Sequence, residues 1–285
     1  LTPEELAFRK TGIGGSDAAS AIGISPWKGR YELWEEKTSP ECVEIPDNRF
    51  MYWGRMLEPL LLEEYCRRTD TEVEVIRGLR SNRYPWLIGN LDGRIVGRKW
   101  LVEVKCAWRS VGWGEPGSDE IPLEYLAQVH HYITLTEFEG ADVVAFIGGN
   151  DFRIYRVERS GIVTEQLLDE EHDFWQMVQT RRPPEPMTLR DAVLRWGKKA
   201  APGMVTAGAA ELAAIEQLRA LADVEDEIEQ EREAARMVIM AALSDAGDVL
   251  VDENGQTLCS WKLDKGRKGY TVEAREPGRQ FRLRR

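Results

Sequence analysis

The sequence predicts an α/β (α+β) core, a mixed central sheet flanked by helices, with a long helix and a β-hairpin appended. Three observations carry this. Residues 1–187 run helix, several strands, helix, two strands, helix. The stretch Arg181-Arg182-Pro183-Pro184-Glu185-Pro186 reads as a linker. Beyond it, residues 207–246 contain no proline and no glycine after Gly208, with apolar positions seven apart. The expected domains are 1–187 and 188–285.

Taken in order, residues 3–10 form a short helix. Gly12-Ile13-Gly14-Gly15-Ser16-Asp17 then makes a tight turn into a helix N-terminus. Backbone amides there favour an anion, and Ser16 adds a hydroxyl donor. Arg9, seven residues before Ser16, can bring charge to the same place. Asp17 has the wrong sign for a phosphate cradle unless it points away or helps a metal site. Residues 25–29 turn, 30–37 form a short helix with Tyr31 and Trp34 on one side, and 39–48 form a polar loop. Residues 50–69 are a long helix with Leu57, Leu61 and Tyr65 as its apolar stripe. Glu58 on that helix reads either as an exposed carboxylate or as a third site acid.

Residues 73–79 alternate as a strand. Residues 87–91, 94–96 and 101–106 give three more short strands joined by glycine-containing turns. The stretch 111–120 holds three glycines and a proline and reads as a mobile loop. Pro122 suits the first turn of a helix running to about 136. Tyr125, Gln128, His131 and Tyr132 recur on it at helical spacing. Gln128 reads either as a surface amide or as a ligand of the scissile phosphate or attacking water. Residues 142–147 and 152–157 flank Gly148-Gly149-Asn150-Asp151, a hairpin. Residues 163–180 form a helix carrying Phe174 and Trp175.

In the second domain, Leu221, Ile228, Ala235 and Ala242 fall every seven residues, with Val224, Glu231 and Val238 between them. That is one amphipathic helix of about 55–60 Å, read equally as an intramolecular brace or an oligomer seam. Residues 249–251 and 258–263 form a hairpin around Asn254-Gly255. A basic ending follows, with Phe281 and Leu283 alternating with arginines as an edge strand.

The chemistry centres on Leu101-Val102-Glu103-Val104-Lys105-Cys106. Apolar residues alternate with Glu103 and Lys105, which puts a carboxylate and an ammonium on one face. Asp92, eleven residues before Glu103, closes the preceding strand at an acidic turn. Two acids supply hard oxygen ligands for Mg²⁺ or Mn²⁺. A lysine beside them can orient or help deprotonate a water. Together they suit metal-assisted attack on a phosphodiester. Read alone, the same residues also suit an exposed charge pattern beside a turn.

Composition narrows the setting. No run of 18 or more apolar residues occurs, so no membrane span is expected. The four cysteines lack CxxC spacing and suit reduced thiols in a cytoplasmic protein. The three histidines cannot build a histidine-rich centre, so any metal chemistry must be carboxylate chemistry. The net charge of −11 argues against non-specific coating of nucleic acid. Charge is segregated, however. Residues 211–248 hold 11 acids and 3 bases, net −8, whereas 262–285 hold 9 bases and 3 acids, net +6.

Five motifs in this order carry a resemblance: Gly14-Gly15-Ser16-Asp17-Ala18-Ala19, Trp53-Gly54-x-x-x-Glu58-Pro59, Leu91-Asp92-Gly93, Val102-Glu103-Val104-Lys105, and Gln128-Val129-His130-His131-Tyr132. Over residues 5–180 the chain resembles the YqaJ-type viral recombinase family, grouped with bacteriophage lambda exonuclease in the PD-(D/E)XK nuclease superfamily. Leu91 stands where the superfamily's name has proline. The resemblance implies a restriction-endonuclease-like core and an Mg²⁺-dependent nuclease degrading one strand of duplex DNA from its 5′ end. It implies that Asp92, Glu103 and the Val104 carbonyl hold the metal, two ions per site, while Lys105 positions the water, Glu58 assists and Gln128 borders the site. Arg9 and Ser16 match positions that hold a terminal 5′ phosphate. It further implies a ring, commonly a trimer, a single-strand annealing protein as partner, and a phage or prophage origin with action in the bacterial cytoplasm. The alternatives are a structure-specific endonuclease of the same superfamily and an inactive DNA-binding module.

Overall fold

The computed structural model describes residues 2–41, 48–197 and 203–262. The chain divides into two compact units, Leu1–Trp196 and Gly197–Arg285. Residues 188–196, placed in the second domain by the expected boundary, lie in the first unit. Arg190 reaches Glu32 at 2.7 Å, and Asp191 is fully buried against Gly29.

The first unit is built on a five-stranded sheet in the order β1-β2-β3-β4-β5. Its strands are β1 (Val73–Arg80), β2 (Ile88–Ile95), β3 (Trp100–Ala107), β4 (Gly140–Ile147) and β5 (Asp151–Glu158). Only β3 and β4 run parallel; the other neighbours are antiparallel. A parallel pair needs a crossover, and the helix at Leu123–Thr136 supplies it. In chain order the helices are α1 (Pro3–Arg9), α2 (Gly15–Ala21), α3 (Arg30–Thr38), α4 (Arg49–Thr69), α5 (Leu123–Thr136), α6 (Gly161–Gln179) and α7 (Leu189–Trp196).

Both faces of the sheet are covered. Leu101, Val143, Ala145 and Tyr155 pack with Val129, Tyr132 and Ile133 of α5. Val102, Val104 and Val144 pack with Leu61, Leu62 and Tyr65 of α4. The face of β3 bearing Glu103 is therefore covered rather than solvated: Glu103 is only 3% exposed.

Three local expectations change. The two short strands expected at 87–91 and 94–96 are one strand, β2, and Asp92 lies inside it. Gly93 is there for close approach, not for a turn: a Cβ would come 2.3 Å from Val73. The 111–120 loop is pinned to β5. Trp113 is buried, Gly117 N–H donates to the Ile154 carbonyl, and the Tyr155 hydroxyl donates to the Gly114 carbonyl. Helix α7 was not expected at all.

In the second unit, α8 (Ala209–Leu243) runs 35 residues, about 52 Å at 1.5 Å per residue. Its heptad residues Leu221, Val224 and Ile228 are exposed. Strands β6 (Val249–Val251) and β7 (Thr257–Ser260) pair antiparallel. The Asp252 carboxylate accepts from the N–H groups of Asn254 and Gln256 and so closes the hairpin turn. The basic ending expected over 262–285 lies outside the described residues apart from Lys262, as does Cys42.

Candidate active site

Strands β2 and β3 pair only through Gly93–Val102 and Arg94–Leu101. Beyond Val102 the backbone ladder gives way to a side chain. The N–H of Val104 donates to Asp92 Oδ2 at 2.9 Å. A carboxylate thus takes a donor that a sheet neighbour would otherwise satisfy, which fixes Asp92 between the strands.

On the covered face of β3, three side chains close a ring. Lys105 Nζ donates to Glu103 Oε1 at 2.7 Å and to Gln128 Oε1 at 2.9 Å. Gln128 Nε2 donates to the same Glu103 oxygen at 2.7 Å. Strand alternation puts Glu103 and Lys105 on one side, and α5 delivers Gln128 onto both. Lys105 also lies over the Tyr125 ring, 5.1 Å from its centroid.

Burial and like charge dominate the electrostatics. Burial, then the Asp92 charge, push the Glu103 carboxyl up to about 8 against the pull of Lys105. Burial also raises Asp92, although Lys105 and the Val104 N–H oppose it. Lys105 is lowered by burial but raised further by Glu103 and Asp92, with a net upward shift. Glu58 is raised by burial and then by Asp92, and it pairs with Arg77 at 3.2 Å. Three acids face one lysine and one arginine, so the cluster holds more acid than it can ionise without further positive charge. That chemistry fits a divalent cation taken by the hard oxygens of Asp92 and Glu103. Among the described residues no group of three or more His, Cys, Asp or Glu side chains is arranged to hold a metal ion, so the fit rests on the two acids Asp92 and Glu103.

Arg9 and Ser16 sit apart from this ring. Ser16 is exposed at the first turn of α2. Asp17 turns inward, only 2% exposed, and bonds Lys37 Nζ at 2.7 Å and Arg9 at 3.0 Å. Burial would raise the Asp17 carboxyl, but Lys37, Arg9 and Lys28 hold it well below the usual carboxylate range. Arg9 also lies 3.6 Å from Glu36.

One side chain joins the two regions, and its role was not legible in the sequence. The Tyr132 ring lies against the backbone of Gly15 and of Gly89, where a Cβ would come within 2.4 Å and 2.7 Å of it. Burial raises its hydroxyl pKa, followed by the charges of Glu103 and Asp92. The buried Lys37, twenty residues from Asp17, left no local signal.

Comparison with known proteins adds three findings. Residues 6–139 match the YqaJ-like viral recombinase domain. The chain is 33% identical over 177 residues to the uncharacterized protein YqaJ of Bacillus subtilis (strain 168), a match covering 60% of this chain and 54% of that protein. The chain thus spans about half the length of that relative. An alkaline exonuclease (LHK-Exo) from Laribacter hongkongensis superposes with a TM-score of 0.53 at 19% identity, over 63% of this chain and 94% of that one. The same enzyme in complex with dAMP gives the same values. What is shared at that identity is the fold, a mixed α/β architecture.

Proposed function

We propose, from the match of residues 6–139 to the YqaJ-like viral recombinase domain, that the chain is a metal-dependent 5′-to-3′ exodeoxyribonuclease acting on linear duplex DNA and leaving 3′ single strands. The observation that carries the reading is the ring of Glu103, Lys105 and Gln128 beside Asp92. It gathers two acids, an amine and an amide in one buried place, the groups that phosphodiester hydrolysis needs.

Asp92, Glu103 and the Val104 carbonyl would hold Mg²⁺ or Mn²⁺, probed as one or two ions. When bound, the ion supplies Lewis-acid polarisation of water and phosphate. The remaining work belongs to the chain. Lys105 places an ammonium beside the attacking water and the phosphate charge. Gln128 locks Lys105 against Glu103, so the amine is oriented before substrate arrives. Glu58 adds negative charge from α4. Ser16, exposed at the start of α2, and Arg9 stand for the terminal 5′ phosphate, which supports the proposed polarity. Arg9 would have to share its guanidinium with Asp17.

Release of nucleotides from end-labelled linear duplex, with Mg²⁺ and with EDTA, tests the reading. Wild type should degrade the 5′-phosphorylated strand only with Mg²⁺. Lys105→Ala and Glu103→Ala should lose cleavage by about 10²-fold or more yet retain DNA binding. Metal-independent cleavage, or full activity of either variant, would overturn it.

A further inference from the structure

On the α4 side of the sheet, near Glu58, lies a groove of about 580 Å³, within the size range of ligand clefts, roughly 300–1,000 Å³. Its walls are Phe50 and Trp53 of α4, Phe146 of β4 and Trp108 just past β3, with Arg49 and Arg109 among them. Leu57 and Cys106 also line it, and their chain neighbours are Glu58 and Lys105. Strand alternation turns Lys105 to the face opposite Cys106, so the groove lies on the α4 side of the sheet and meets the site at Glu58, the residue after Leu57.

Its rings are not spent on the core. Phe50 is 60% exposed, Trp53 56% and Trp108 75%. Leaving three large rings in water beside a buried, charged site is unfavourable unless something covers them. The Arg49 guanidinium lies 4.9 Å from the Phe50 ring centroid. Neither Arg49 nor Arg109 forms an ion pair among the described residues. Flat faces with free guanidinium groups match a strand whose bases are flat and whose backbone is anionic. An aliphatic protein segment would use the apolar walls but not the two cations.

We propose that this groove binds the unpaired bases of single-stranded DNA next to the scissile phosphate, the bases stacking on Trp53 and Trp108 while Arg49 and Arg109 meet the backbone. This rests on the nuclease reading above. Stacking on aromatic side chains tolerates any base, which suits an enzyme that must process every sequence.

The test is binding in EDTA, so that no strand is cut, with a labelled short oligothymidylate and an abasic oligonucleotide of equal length. Wild type should bind the base-bearing strand about tenfold more tightly or better. Trp53→Ala/Trp108→Ala should lose that ratio but keep its affinity for the abasic strand. Trp53→Phe/Trp108→Phe should retain most of the ratio. Trp108→Ala alone, at the most exposed ring, serves if the double variant fails to fold. Equal wild-type affinity for the two strands, or an unchanged ratio in the alanine variants, overturns the proposal. A change of solution mass in those variants with no change in the ratio also overturns it, and assigns the groove to a second copy of the chain. A wild type that cuts linear duplex without discriminating removes the groove alone. One that neither cuts nor binds removes the nuclease reading as well.

Discussion

The backbone N–H of Val104 donates to the Asp92 carboxylate at 2.9 Å, where a backbone partner would continue the sheet. Asp92 is thus both a proposed site acid and part of the fold, and substitutions can separate the two roles. Asp92→Asn keeps an oxygen for the Val104 N–H and removes the charge. We predict loss of cleavage by about 10²-fold with little change in unfolding midpoint. Asp92→Ala leaves the N–H unsatisfied and should cost a further ~1–3 kcal/mol in urea unfolding. Equal stability of the two variants would show that the hydrogen bond contributes nothing.

Gln128 touches both Glu103 and Lys105, so its loss should not add independently to theirs. In a double-mutant cycle of Gln128→Ala with Lys105→Ala, read as kcat, the coupling should be about 0.5–3 kcal/mol. Additive effects would mean that Gln128 acts elsewhere.

Gly15→Ala should destabilise the chain by ~1–3 kcal/mol, because the new methyl would lie 2.4 Å from the Tyr132 ring. Tyr132→Leu, which removes the ring, should reduce the cost of Gly15→Ala. Thermal unfolding of the single and double variants reads this directly.

Asp17 predicts an acid limb. Its folded pKa is depressed by Lys37 and Arg9 despite its burial. Its stabilising contribution is therefore full above its unfolded pKa of about 3.9 and is lost as pH falls towards the folded value. Urea unfolding from pH 7 to pH 3 should show the loss. Asp17→Asn should flatten that limb yet cost ~3–5 kcal/mol at neutral pH, by leaving Lys37 buried and unpaired.

His131 predicts the opposite limb. Its ring nitrogens face the Ile88 carbonyl at 3.0 Å and the Glu171 carboxylate at 2.8 Å. Both partners accept, so both nitrogens donate and the imidazolium is favoured. Burial lowers its pKa, but Glu171 raises it more. The contribution is full below about 6.5 and is lost as pH rises through the raised folded value. Glu171→Gln should bring the His131 titration, followed by NMR, to lower pH.

Much of the ring of Glu103, Lys105 and Gln128 was legible because strand alternation fixes side-chain direction: Glu103 and Lys105 must share a face. Helical spacing put Gln128 on the same helix face as Tyr125 and Tyr132. What sequence could not show depends on contacts between distant segments. Gly93 carries the usual mark of a turn, but here it makes room for Val73 within one continuous strand. The glycine-rich 111–120 loop suggested mobility, whereas Trp113 and the hydrogen bonds to β5 hold it down. Helix α7 is short, and its docking rests on Arg190 reaching Glu32 across the chain. The charge cluster of Arg9, Asp17 and Lys37 comes from three separate segments, and no local periodicity reports it.

The Tyr132 ring, wedged between Gly15 and Gly89, acts as a spacer of fixed length. On one side lies the segment proposed to seat a strand terminus, and on the other the groups proposed to cut. On that reading a packed ring sets the distance from terminus to cut, and moving the cleavage point would require rebuilding that aromatic wedge rather than altering a loop.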